Sequence, residues 1–162
     1  MRDAVTYRAA EPRDIDGIVS LINGFAAEQV MLPRTPESVS LALHDFIVAA
    51  GARGEVLACG ALKEYSPSLA EVASVAVSRA AHSRGLGRGI VTRLESLARR
   101  RGIAELFALT LTPGFFESAG YAVVERARYP EKVRRDCLKC ARRFGCAEVC
   151  VSRLLEAAAW AA

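Results

Sequence analysis

Two stretches of this chain hold residue types whose spacing suits chemistry. The segment AEVASVAVSRAAHSRGLGRGIVTRL, Ala70 to Leu94, carries one carboxylate, Glu71, on a run of small and β-branched residues. A turn follows in which His82, Ser83, Arg84, Gly85, Leu86, Gly87 and Arg88 succeed one another. Glycines there leave backbone N–H groups unshielded, and a helix opening at the turn adds the positive end of its dipole. The turn is thus a seat for a phosphate or pyrophosphate, with ordinary loop geometry as the plain alternative. In the tail, Cys137-x2-Cys140-x5-Cys146-x3-Cys150 offers four thiolates, a number that suits zinc. The spacing departs from paired CxxC knuckles, and reduced thiols packing a small tail subdomain are the favoured reading. Cys59 reads as a core residue of a strand, and His44 and His82 lack metal-ligand spacing to one another.

The elements that must position these groups follow from periodicity. Val72, Val75 and Val77 mark a strand over Ala70–Val77, expected to be buried on both faces, and Ile90, Val91, Leu94, Leu97 and Ala98 recur at helical spacing over Gly87–Arg101. Val5–Arg8 reads as a first strand. Pro12 opens a helix through about Ala27, with Ile15, Ile18, Val19 and Ile22 inward. A loop at Met31–Thr35 precedes a helix from Pro36 toward His44, and Phe46–Ala50 and Val56–Lys63 pair as a hairpin. Leu106–Thr110 is a further strand, Pro113–Ala119 a short helix and Tyr121–Arg126 a strand. The tail predicts a helix near Pro130–Cys140, a strand near Glu148–Arg153 and an alanine-rich end that frays. The expectation is one α/β domain over residues 1–162 with a mixed central sheet flanked by helices, its cysteine-rich segment at about 130–153.

Composition fits a compact soluble protein. The chain has 162 residues, 52% of them hydrophobic and 25% charged, which suffices for one proper core. No apolar run approaches a membrane span, and MRDAVTYRAAEPRD lacks the apolar centre of a leader, so the expected location is the cytoplasm. Net charge is +4, with basic clusters at Arg99–Arg101, Arg134–Arg135 and Arg142–Arg143. They read mainly as solvated faces, secondarily as attraction for anions. Nucleic acid is disfavoured because aromatic residues do not interleave with the basic runs. A homodimer is left open.

Two nucleotide-binding patterns fail on detail: no Gly-Lys-Ser or Gly-Lys-Thr ends a P-loop, and no GxGxxG follows the first strand. The arrangement instead resembles the GNAT superfamily of acyl-CoA-dependent N-acetyltransferases, whose signature is Gln or Arg, two residues, Gly, one residue, then Gly or Ala after the fourth strand. Arg84–Gly89 matches the letters but would put Thr92 and Arg93 at apolar helix positions. His82–Gly87 puts Ile90 and Val91 there, with His82 replacing Gln or Arg. FFESAGY, Phe115 to Tyr121, looks like the late segment near the thioester, with Phe116 in place of the usual tyrosine. MLPRT, ACGAL, LAEVASVAV and the PEK and CLKC segments further resemble the short form of the N-acetylglutamate synthases.

What the resemblance implies is specific. It implies acetyl-CoA as co-substrate, held by Val75, Ala76 and Val77, by the turn His82–Arg88 and by Phe116. Glu71 becomes the candidate general base, because an amine attacks a thioester only when neutral. Leu32, Arg34 and Lys63 become candidate contacts for the acceptor, with Lys139 from the tail. The implied reaction is direct acetyl transfer to the α-amino group of L-glutamate. Another amino acid, small amine or protein N-terminus, or a non-catalytic acyl-CoA sensor, is the alternative.

Overall fold

The computed structural model describes residues 4–156; the expected alanine-rich end falls mostly outside them. Seven strands form one mixed sheet. They are β1 (Thr6–Ala9), β2 (Phe46–Ala50), β3 (Val56–Ser66), β4 (Leu69–Val77), β5 (Glu105–Thr110), β6 (Ala122–Val123) and β7 (Val149–Leu154), in the order β1-β2-β3-β4-β5-β7-β6. β4 and β5 run parallel, while β1–β2, β2–β3, β5–β7 and β6–β7 are antiparallel. The α-helices are α1 (Ile15–Ala26), α2 (Pro36–Leu41), α3 (Leu86–Arg100), α4 (Pro113–Ser118) and α5 (Pro130–Arg135). None of the described helices is long and apolar enough to cross a membrane.

By packing, the chain forms two compact units. The first holds residues up to Lys63 together with Val72–Leu97; the second holds Glu64–Glu71 and the chain from Ala98 onward.

In the first unit, Ile18 and Ile22 of α1 pack with Val39 of α2 and with Phe46, Val48, Cys59, Ala61 and Ala76 of the sheet. Apolar residues four apart put one stripe of α1 on the strands, as the periodicity predicts. The Asp14 carboxylate is buried at the start of α1. It takes a bidentate pair from Arg8 of β1 (2.6 and 3.0 Å) and the Glu11 amide (2.7 Å), tying first strand to first helix. Thr35 caps α2 in a reciprocal box with Ser38.

In the second unit, Leu69, Phe107, Tyr129 and Cys150 form the core, with the Phe107 and Tyr129 rings stacked at 4.3 Å. Three expectations need correction. The strand over Tyr121–Arg126 shrinks to Ala122–Val123, and Arg126–Arg128 becomes a 3-10 turn in which the Arg126 guanidinium donates to the Glu148 carbonyl at 2.9 Å. The helix near Pro130–Cys140 stops at Arg135, because Asp136 leaves helical geometry (φ −121°) and a 3-10 turn follows at Cys137–Lys139. β4 is buried at every position only over Leu69–Val72, with Ala76 buried further along, and Ser74 within the strand takes a φ of 55°. A serine at that angle is held there by its surroundings, since only glycine adopts it freely.

Candidate functional site

The turn between β4 and α3 belongs to the first unit. Ser78 donates its amide to the Leu57 carbonyl at 2.8 Å, fixing the exit from the strand, and a 3-10 turn over Arg79–Ala81 follows. His82 folds back and donates from Nε2 to the Val77 carbonyl at 3.0 Å. His82, Ser83, Arg84 and Gly85 are exposed, and Ser83 and Gly85 adopt φ of 66° and 74°. A side chain on Gly85 would meet open space, so the glycine is there for its backbone angle. Leu86 is buried and begins α3, whose first amide groups have no carbonyl one turn earlier to bond. Open amides, a fifteen-residue helix and the side chains of Arg84 and Arg88 make a donor set suited to a pyrophosphate. Gly89 serves packing: a Cβ there would lie 2.1 Å from the Tyr7 hydroxyl. Ala76 is buried and Val75 and Val77 half-buried on β4.

Arg34 lies in the same unit, in the loop before α2. Asn23 grips its backbone from both sides, donating to its carbonyl and accepting from its amide at 2.9 Å each. Its guanidinium donates to Ser38 Oγ (3.1 Å), the Ser38 carbonyl (3.2 Å) and Ser74 Oγ (3.3 Å), and lies 5.5 Å from the Phe46 ring centre. Burial pulls it below its ordinary pKa, with Cys59 acting the other way. None of the partners described for it is a carboxylate. A partly buried, anchored guanidinium of that kind has the chemistry to receive an anion. Leu32 is exposed two residues earlier, and Lys63 is half-buried near the end of β3.

The second unit holds Glu71. It is buried rather than on the surface, and it is met by groups that sequence reading missed. Lys132 of α5 lies with Nζ 2.8 Å from one carboxylate oxygen of Glu71 and 3.2 Å from the other, and 3.1 Å from Asp136 Oδ2. The Tyr65 hydroxyl of β3 lies 3.2 Å from Glu71 Oε2 and makes a very short contact with Asp136 Oδ2. Burial, then the charges of Glu71 and Asp136, push the Tyr65 phenol far above its ordinary range. Lys132 and Asp136 stand at i,i+4 spacing, legible in sequence as a helical pair. Nothing local signals that Glu71 lies across from them.

Lys139 is exposed, and it is Lys132 that brings a tail ammonium to Glu71. Phe116 is buried between Phe115 and Tyr121, edge-on to both at 5.0 and 5.2 Å. Among the described residues no three His, Cys, Asp or Glu side chains are arranged to hold a metal ion. Cys150 packs into the core and its thiol is pushed up to about 11 by burial. Cys146 accepts from Arg126 at 3.4 Å, Cys140 accepts from the Arg142 amide, and Cys137 is raised by burial. The four weak metal candidates are thus divided among core packing, a side-chain contact and a turn.

A mixed sheet whose fourth strand leads through a glycine turn into a long helix is an acyl-CoA transferase architecture. The chain belongs to the acetyltransferase (GNAT) family, whose model matches residues 22–121. It is an N-acetyltransferase of that type, with acetyl-CoA as co-substrate. An uncharacterized N-acetyltransferase of Chlorobaculum tepidum is 36% identical over 91% of this chain and 95% of that protein. An amino-acid acetyltransferase of Mycobacterium tuberculosis is 32% identical over 73% of this chain and 68% of its own length. The N-acetylglutamate synthase of Neisseria gonorrhoeae, solved with coenzyme A and N-acetyl-glutamate, superposes with a TM-score of 0.85 at 27% identity. That match covers 96% of this chain but only 36% of the synthase chain.

Proposed function

We propose that this chain acetylates the α-amino group of L-glutamate, the reaction that opens arginine biosynthesis, in the cytoplasm. The observation that carries the reading is Arg34: an anchored, partly buried guanidinium with no carboxylate among its described partners suits an acceptor that brings carboxylates of its own. The similarity to a synthase solved with N-acetyl-glutamate points the same way. Acetyl-CoA supplies the activated acetyl thioester. The turn His82–Arg88 holds its pyrophosphate through backbone amides, and the backbone of Val75–Val77 offers donors to the pantetheine arm and the carbonyl oxygen; Phe116 is a further candidate cofactor contact. Glu71, on the same strand, takes the proton that the acceptor ammonium must lose before attack. Lys63 and Lys139 are further candidate contacts for the second carboxylate.

The test is acetyl-CoA-dependent thiol release with glutamate, glutamine, aspartate, other amino acids and simple amines. Selective turnover of glutamate is expected, with Arg34→Lys raising its KM about tenfold or more through loss of the two-pronged donor, while the KM for acetyl-CoA holds. Preference for an amine without a carboxylate would overturn the glutamate assignment. Binding of acetyl-CoA with no acceptor turned over would favour an acyl-CoA sensor.

A further inference from the structure

Around Glu71 four polar atoms close a ring. Glu71 Oε2 and Asp136 Oδ2 occupy opposite corners, and each is touched by both Tyr65 Oη and Lys132 Nζ. A phenol has one proton, so Tyr65 donates to only one of the two carboxylates at a time. The ring is graded in exposure: the Glu71 side chain is 9% exposed, Lys132 12% and Asp136 28%. A proton arriving on Glu71 is walled from water, whereas one on Asp136 is not. We infer that Tyr65 and Asp136 form a proton exit for Glu71, carrying to solvent the proton that each catalytic cycle deposits there.

The inference rests on the reading of Glu71 as general base. The step balances without a co-reactant. Protonated Glu71 passes its proton to Tyr65 Oη while the phenolic proton of Tyr65 passes to Asp136 Oδ2. Glu71 ends as a carboxylate, Tyr65 neutral, and Asp136 protonated until it releases the proton to water. Lys132 stays an ammonium and holds both carboxylates in place. The other charges near the ring include Arg135, with its guanidinium 4.5 Å from the Tyr65 ring centre, and Glu148, which feels both Glu71 and Lys132. Cys137 also feels Lys132 and Glu71. The phenol stays protonated between transfers, because burial and the two carboxylates resist a tyrosinate. It therefore serves as a bridge and never as a store of charge.

The experiment compares wild type, Tyr65→Phe and Asp136→Asn at saturating acetyl-CoA, with whichever amine the wild type acetylates, in dilute buffer and then with added imidazole. Both variants should lose about tenfold or more in kcat with the acceptor KM unmoved, and imidazole should restore much of the Asp136→Asn rate. Unchanged kcat in both variants, or a loss that imidazole does not repair and that moves KM, would overturn the exit. If wild type turns over no amine, the reading of the base has failed and the exit falls with it; turnover by wild type with kcat unmoved in both variants overturns the exit alone.

Discussion

Lys132 neutralises two buried or half-buried carboxylates at once, 2.8 Å from Glu71 and 3.1 Å from Asp136. Burial alone would lower its pKa; Glu71 and Asp136 outweigh burial and hold the ammonium above its ordinary 10.5. A group raised in this way stabilises the fold fully below its unfolded pKa, and the contribution is lost as pH rises through the folded value. Lys132→Met, which strands the two carboxylates, should cost about 3 kcal/mol at neutral pH. In urea titrations the gap to wild type should persist up to about pH 10.5 and close only above it. A gap already absent at neutral pH would mean the ring contributes no stability. Asp136 stands four residues after Lys132, just past the end of α5, and the two are legible as neighbours, but Glu71 is sixty-one positions from Lys132. No local pattern encodes that meeting. Arg34 shows the reverse case: family resemblance singles out the residue, while the absence of a carboxylate among its described partners appears only in three dimensions.

At the scale of elements, α3 docks through glycines. A Cβ on Gly60 would come 2.5 Å from Ile90 Cγ2 and 3.1 Å from Leu94 Cδ1, so the helix lies directly on the β3 backbone. Gly60→Ala should therefore lower stability by about 1–3 kcal/mol, seen as a lower Tm. Ile90→Leu in that background should recover part of the loss, because leucine lacks the Cγ2 branch that makes the closest contact. Additive losses would place the strain elsewhere. The helix itself was readable from its apolar spacing, and so were β2, β3 and β5 from β-branched and aromatic runs. The extent of β6 and the end of α5 were not. β6 is a two-residue edge strand with both residues exposed, and α5 stops where Asp136 turns out of helical geometry toward Tyr65 and Lys132.

For the molecule as a whole, the net charge of +4 and the arginines of the turn bear on an anionic co-substrate. Exposed charges act over a screening length of about 8 Å at physiological salt. The Kd for coenzyme A, measured by titration calorimetry, should rise several-fold from low to high salt, and that for acetyl-pantetheine, which lacks the phosphates, much less. Equal salt sensitivity would remove the turn's amides and arginines from cofactor binding.

The sequence by itself determined what depends on near neighbours: helix faces three and four residues apart, strands from alternating or β-branched runs, and a glycine where the backbone must take a positive φ. Those preferences act within one or two turns of chain and leave a local trace. Tertiary structure alone decided which charges are buried, which carboxylates share one ammonium, and that the four tail cysteines serve different contacts. These outcomes depend on distances closed by the packed core and on desolvation there. A buried charge must find its counter-charge wherever the fold brings one, however far along the chain it lies.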